Sequence, residues 1–287
     1  MKGIIDAHCH PMHWPSRPGV SPRGRLPALP DFYYHDPVDQ SDQYVGIMDS
    51  VGIDIAVIMS EIGQTSPEFV ASMVSKHPGR FIGFSNWVYP ATGREAAMQI
   101  EHMVGELGIA GVGEMILGAF YPTPPHEVHR LPELVIIMDK IAELEVPILF
   151  HTGFLPIPLP LSYMHPFLID ELANVYPDVP IIMGHSGHPV SHFDPEVVDD
   201  LFFEACLLVA EKHGNVYFEI SFCTAAHVER IVRAVGVEAC LFGTDGSVRR
   251  SSEYFQRQVD AVLDAPITGD DKDHILRKNA ARLLEIG

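Results

Sequence analysis

An α/β fold, closed as a (β/α)8 TIM barrel and filling residues 1–287 as a single domain, is the architecture predicted by three features of the sequence. Short β-rich runs alternate with longer amphipathic stretches through about eight repeats, the pattern of a parallel sheet with crossover helices. Most of the short runs are nearly continuously apolar, as strands covered on both faces must be. The length of 287 residues suits one closed α/β barrel, which commonly takes about 250 residues.

Gly3–Ala7 is the first expected strand, an apolar run that leads into a histidine cluster. A proline-rich connection, Pro11–Asp39, separates it from the helix Ser41–Val51, whose apolar residues recur at roughly i, i+3, i+4 spacing. Asp54–Met59 and Phe81–Trp87 are the second and third strands, with the helix Pro67–Lys76 between them. His77-Pro78-Gly79 stops that helix, because proline cannot continue it and glycine accepts the left-handed turn that ends it. Gly93–Leu107 then leads to the fourth strand, Ala110–Met115, and Leu131–Leu144 to the fifth, Pro147–His151. After a second proline-rich connection, Phe154–Met164, the helices His165–Val175, Pro195–Lys212 and Ala225–Ala234 precede the strands Pro180–Gly184, Val216–Ile220 and Cys240–Gly243. Ser252–Leu263 and a last helix, Asp270–Glu285, close the chain. Both long connections follow strand C-terminal ends, the face on which a barrel carries its active-site loops, and are candidate lids or substrate walls.

Composition narrows the function classes. With 47% hydrophobic and 20% charged residues the chain has material for a large core, which argues against disorder. The 38 acidic and 19 basic residues give a formal charge of −19, and such a surface repels polyanions, so nucleic acid is not an expected partner. No basic and apolar leader precedes the histidine cluster and no apolar run approaches bilayer length, so a soluble cytoplasmic protein without a membrane partner is expected. Cys9, Cys206, Cys223 and Cys240 form no CxxC pair and read as reduced structural thiols.

The residues that carry chemistry stand at strand ends. In Ile4-Ile5-Asp6-Ala7-His8-Cys9-His10 the two histidines lie two apart, so strand alternation projects both to one side and Cys9 to the other. Together they can chelate one metal. His151 ends the fifth strand and His185 the sixth, each followed within two residues by glycine, and Asp245 ends the eighth. Polar side chains at that rim are not core filler, because barrel interiors prefer Val, Ile and Leu. Glu114 stands near the end of the fourth strand between small and apolar neighbours, where an unpaired carboxylate is costly to bury. It either bridges two metals, ligates a second site alone, or is a hydrogen-bonded rim carboxylate. Imidazole and carboxylate donors without thiolate suit Zn²⁺, Mn²⁺, Fe²⁺ or Ni²⁺, with Zn²⁺ as the default.

This set, HxH on strand one, Glu on strand four, His on strands five and six and Asp on strand eight, resembles the amidohydrolase superfamily and its metal-dependent hydrolase type of barrel over nearly the whole chain. The closing run Ile275-Leu276-Arg277-Lys278-Asn279-Ala280-Ala281-Arg282-Leu283-Leu284 looks most like the amidohydrolase 2 branch, which includes aminocarboxymuconate semialdehyde decarboxylase. The Gly113-Glu114-Met115 segment is instead similar to TatD-like and other binuclear members. The resemblance implies that His8, His10 and Asp245 hold a first metal, with His151 completing that site or holding a second. His185 is then a ligand of the second metal or the group that orients the attacking water, and Asp245 accepts the proton of that water. A homodimer or larger homo-oligomer is also implied.

Two reactions follow from such a site. A metal-activated water hydrolyses an amide, ester or lactone bond in a small organic molecule, with His185 stabilising the oxyanion if it is not a ligand. Alternatively the metal orients a small carboxylic acid for non-oxidative decarboxylation. Arg249 or Arg250, just beyond Asp245, is a candidate partner for a substrate carboxylate, with Arg17, Arg23 and Arg25 in competition. A bridging Glu114 favours hydrolysis, and a single metal without Glu114 favours decarboxylation. A TatD-like nuclease is a third reading, disfavoured by the acidic balance. Trp14, Phe32, Tyr33, Tyr34, Phe154, Leu155, Ile157, Leu159 and Tyr163 supply either an apolar pocket wall or a subunit interface.

Overall fold

The computed structural model describes residues 3–13, 37–60, 65–88, 91–116, 127–153, 161–188 and 201–286. Eight strands form one parallel sheet in chain order: β1 (Ile4–Cys9), β2 (Ile53–Met59), β3 (Phe81–Ser85), β4 (Gly111–Met115), β5 (Ile148–His151), β6 (Ile181–Gly184), β7 (Val216–Glu219) and β8 (Cys240–Leu241). Between them run α1 (Ser41–Val51), α2 (Pro67–Lys76), α3 (Gly93–Gly105), α4 (Pro132–Glu143), α5 (Phe167–Val175), α6 (Leu201–Lys212) and α7 (Ala225–Val235). After β8 come α8 (Ser252–Leu263), α9 (Gly269–Asp273), a π-helical turn His274–Lys278 and α10 (Asn279–Leu283).

Local chemistry accounts for many of the boundaries. Ser66 caps α2 by accepting from Phe69 N, with Pro67 at the first turn where its missing N–H costs nothing. Thr92 and Glu95 close a capping box at the start of α3, and Gly52, at φ 79°, ends α1 in the left-handed conformation. The expected last helix is interrupted by the π-helical turn. Expected helix residues 195–200 lie outside the described residues.

The first and last strands close the barrel. Ala7 N donates to Phe242 O at 2.8 Å, His10 N to Gly246 O at 2.7 Å, and both Thr244 N and Asp245 N donate to His8 O. Buried Asp6 reinforces the seam, accepting from Thr244 N (3.0 Å), Thr244 Oγ1 (2.7 Å) and Tyr44 Oη (3.3 Å). The core has two layers. Ile5, Ala7, Val57, Met59, Phe84, Leu149, Ile182 and Leu241 fill the barrel interior, with Ala280 of α10 packed against them from the C-terminal segment. A larger cluster, including Ile58, Ile137, Phe150, Phe218 and Phe255, lies between strands and helices. Burial of such side chains, at roughly 1.5–3 kcal/mol each, dominates the stability of the fold.

Two strands carry bulges where the site begins. Asp6 and Cys9 of β1 pair with Ala56 and Ile58 of β2, and Val112 and Met115 of β4 pair with Ile148 and Phe150 of β5. Each interval holds one more residue than its partner, which re-aims the side chains beyond it. On β1 the extra residue switches the parity: Ala7 faces the interior, yet Cys9 joins the outer core and His8 and His10 face the site. Cys9 thus points away from the histidine cluster, as alternation predicted.

Candidate metal centre

The C-terminal ends of five strands bring His8, His10, Glu114, His151, His185 and Asp245 to one place. His8 Nε2 and His10 Nε2 lie 3.1 Å apart, and Asp245 Oδ1 stands 3.2 Å from His10 Nε2 and 3.7 Å from His8 Nε2. Glu114 lies between this group and a second one. Its Oε2 is 3.5 Å from both His8 Nε2 and His10 Nε2, while its Oε1 is 2.6 Å from His151 Nδ1 and 3.0 Å from His185 Nε2. His151 Nδ1 and His185 Nε2 are themselves 3.0 Å apart. Two overlapping sets, His8 with His10 and Asp245, and His8 with Glu114 and His185, have the separation of metal ligands.

The turns beyond these strands use unusual backbone. His185 (φ 63°), Ser186 (φ 52°), Phe222 (φ 65°) and Asp245 (φ 47°) are all left-handed, a conformation that side chains other than glycine's adopt at a cost. The glycine after each histidine has a steric reason. A Cβ on Gly153 would stand 2.3 Å from His188 O, and one on Gly187 would stand 2.5 Å from the Phe202 carbonyl carbon. Asn86 holds Glu114 from behind, its Nδ2 donating to Glu114 O at 2.5 Å.

Hydrogen bonds to the far sides of the imidazoles decide which nitrogens carry protons. His10 Nδ1 donates to Met59 O at 3.0 Å, and His8 Nδ1 to Glu219 Oε2 at 3.0 Å. Ser221 Oγ donates to Glu219 Oε2 at 2.9 Å, so it accepts from His185 Nδ1, also at 2.9 Å. In the neutral rings the Nε2 lone pairs of His8, His10 and His185 therefore face one another and the carboxylates, an arrangement of acceptors without donors that a cation relieves. His151 Nε2 is buried with no hydrogen-bond partner among the described residues.

Without a cation, protons take its place. Burial disfavours charge on His8, but Glu114 and Glu219 outweigh it and hold the imidazole pKa well above its ordinary value. Burial likewise opposes charge on His10, and hydrogen bonds to Asp245 and Glu114 push it up to about 10. Burial raises Glu114 and Asp245, yet the surrounding imidazoles bring both below the usual carboxylate range. The residues thus fit a divalent metal: nitrogen and oxygen donors, ionised carboxylates and fixed tautomers.

Other expected site residues fall elsewhere. Arg249 is exposed, and Arg250 lies with its guanidinium 4.8 Å from the Tyr254 ring centroid. Tyr163 is half-buried in the 3-10 turn Leu161–Met164. Trp14, Arg17, Arg23, Arg25, Phe32, Tyr33, Tyr34, Phe154, Leu155, Ile157 and Leu159 lie outside the described residues. The sequence reading passed over Glu219, although it ends a β-rich run as His151 and His185 do and is fully buried at the same rim. It passed over Asp6 as well, whose partners are 38 and 238 residues away in the chain. A surface cleft of about 520 Å³, lined by Asn174, Asp178, Lys212, His213 and Tyr217 among others, lies at the N-terminal end of β6 and β7, away from this cluster.

A parallel eight-stranded barrel with imidazole and carboxylate donors gathered at its C-terminal rim defines a metal-dependent TIM-barrel enzyme. The amidohydrolase family model matches residues 5–286, and the chain belongs to that family, in its amidohydrolase 2 branch. No curated protein matches by sequence. Among solved structures the chain is similar to an uncharacterized TIM-barrel protein from Bordetella bronchiseptica, with TM-score 0.69, 20% identity and 98% of each chain covered. It is also similar to a dihydroxybenzoic acid decarboxylase from Polaromonas sp. JS666 with bound manganese and the inhibitor 2-nitroresorcinol, with TM-score 0.63 and 17% identity over 100% of this chain and 98% of that one. A third is a probable 2-pyrone-4,6-dicarboxylic acid hydrolase from Acinetobacter baumannii with citric acid bound, with TM-score 0.66 and 14% identity over 99% of this chain and 100% of that one. At these identities the likeness establishes the shared fold.

Proposed function

We propose that this protein is a hydrolase that holds two divalent metal ions and cleaves an amide, ester or lactone bond in a small organic molecule. The observation that carries this reading is Glu114, whose two oxygens face two groups of histidines at 2.6 to 3.5 Å. With metal bound, His8, His10 and Asp245 would hold one ion and His151 and His185 a second, with Glu114 placed to serve both. Zn²⁺ is the proposed ion, on the strength of the nitrogen and oxygen donors. When bound, it supplies Lewis acidity, lowering the pKa of water towards 7 and polarising the scissile carbonyl.

The chain's own residues supply the rest. The Asp245 carboxylate takes the proton of the attacking water and returns it to the leaving group, so each cleavage consumes one water and leaves the carboxylate unchanged. Its Oδ1 lies at the edge of the first group, 3.2 Å from His10 Nε2. His185, with its Nδ1 proton engaged by Ser221, offers a lone pair at Nε2 and is assigned as a ligand of the second ion. Arg250 is the proposed partner of a substrate carboxylate. The ring it covers belongs to Tyr254, whose hydroxyl donates to Thr244 O beside Asp245 at 2.6 Å. Trp14 and Arg249 are kept as further substrate contacts.

Decarboxylation is the second reading, favoured by the manganese-containing dihydroxybenzoic acid decarboxylase among the similar structures. Metal content tests the two-ion site. Elemental analysis of protein purified without chelator is expected to give nearly two metals per chain, falling to one in Glu114→Ala. One metal in both proteins overturns the bridged site and shifts the assignment to a mononuclear hydrolase or a decarboxylase, which CO₂ release from hydroxybenzoates tells apart. The four buried free cysteines support a reducing cytoplasm, and no helix among the described residues is long and apolar enough to cross a membrane. Exposed Leu161, Phe167 and Leu208 support a homo-oligomer of this single-domain chain.

A further inference from the structure

Glu219, at the end of β7, touches three arms of the site without facing its centre. Its Oε2 accepts from His8 Nδ1 (3.0 Å), His185 N (2.9 Å) and Ser221 Oγ (2.9 Å), and its Oε1 accepts from Ser221 N (2.7 Å). Its carbonyl oxygen accepts from Ser186 Oγ at 2.9 Å, which secures the left-handed turn after β6. The side chain also packs against β8's extension: a Cβ on Gly243, two residues before Asp245, would stand 2.1 Å from Glu219 Oε1. This carboxylate is fully buried, and all its described polar contacts are donors. Only an ionised carboxylate accepts from four donors at once, since a protonated oxygen turns one of them into a clash.

From this geometry we infer that Glu219 is a positioning residue that couples the two metal subsites, holding His8 directly and His185 through Ser221 so that both present Nε2 lone pairs. The inference rests on the two-ion reading above. His8 belongs to the first group and His185 to the second, and one carboxylate fixes the tautomer of each. The link to His185 is asymmetric. Ser221 Oγ is the relay, accepting from His185 Nδ1 and donating to Glu219, whereas His8 contacts Glu219 with no intermediary. Removing the carboxylate loosens both groups, and removing the hydroxyl loosens the second alone.

The test is Zn²⁺ titration in competition with a chromophoric chelator on the wild type, Glu219→Gln and Ser221→Ala. Loss of an outer hydrogen-bond partner of a metal-ligating histidine typically costs about 10–100-fold in affinity. Glu219→Gln is expected to show that loss for both ions and Ser221→Ala for one. Nitrogen-resolved NMR of the histidine rings in the Zn²⁺-loaded protein reads the outer contact independently: the Nδ1–H of His8 should keep its hydrogen-bonded shift in Ser221→Ala and lose it in Glu219→Gln. Affinities within about twofold of wild type in Glu219→Gln, or a loss confined to one ion there, overturn the inference. If Glu219→Gln does not fold, Ser221→Ala decides alone, since a loss at both ions or at neither contradicts the relay. A wild type that holds one Zn²⁺ or none sinks the two-ion reading itself, a failure visible before any variant is made.

Discussion

Protons and metal ions compete for the same lone pairs at the barrel rim. His10, raised from 6.5 to about 10 by Asp245 and Glu114 against the cost of burial, stays protonated at neutral pH in the metal-free protein. A raised imidazole pKa stabilises the fold fully below 6.5 and loses that contribution as pH rises through about 10. Metal binding has the opposite dependence, because a ligating imidazole must be neutral. Zn²⁺ affinity should therefore climb as pH rises and level off above about pH 10, with proton release on binding below it. Calorimetry in buffers of different ionisation enthalpy measures that release, and a buffer-independent heat would show that the histidines are already neutral.

At the scale of the element, the turn after a strand decides where the strand's last side chain points. Gly187 sits at φ 82° two residues beyond His185, with the Phe202 backbone against the space where a Cβ would be. Gly187→Ala should cost about 2 kcal/mol or more from the left-handed conformation and the clash together, read as a fall in thermal midpoint. The same substitution should displace His185 and weaken metal binding. The bulges in β1 and β4 act in the same way, changing which face of the sheet the next side chain occupies. A period-two reading of the sequence carries no sign of such an inserted residue. His8 and His10 still share a side, because local alternation across Cys9 holds although the inserted residue lies between Asp6 and Cys9.

Across the whole molecule, closure of the barrel and assembly of the site are one event. Asp6 joins β1 to the β8 extension through Thr244, two backbone amides and the Tyr44 hydroxyl, and the residues it joins flank His8 and Asp245. Burial pushes its carboxyl up to about 7, against the pull of Thr244 and the His8 amide. Asp6→Ala leaves several buried donors without an acceptor, each worth roughly 1–3 kcal/mol, so a loss of about 3 kcal/mol or more is expected in denaturant unfolding. Metal affinity should fall with it, since the seam positions ligands from both chain ends. A variant of wild-type stability would show that the seam is held by the main chain alone.

The alternation of strands and helices, the net acidic charge and the strand-end places of His8, His10, His151, His185 and Asp245 are legible in the chain alone. These are local properties: apolar runs of strand length, glycine and proline stops, and polar residues at the ends of buried strands. The remaining features depend on contacts between distant parts of the chain. The position of Glu114 between two groups of histidines requires β1, β5 and β6 to converge on β4. Glu219 and Asp6 looked like ordinary strand residues until the partners that make them acceptors, as many as 211 and 238 positions away, were folded against them. A carboxylate's role is set by which donors surround it, and the barrel's closure chooses those donors.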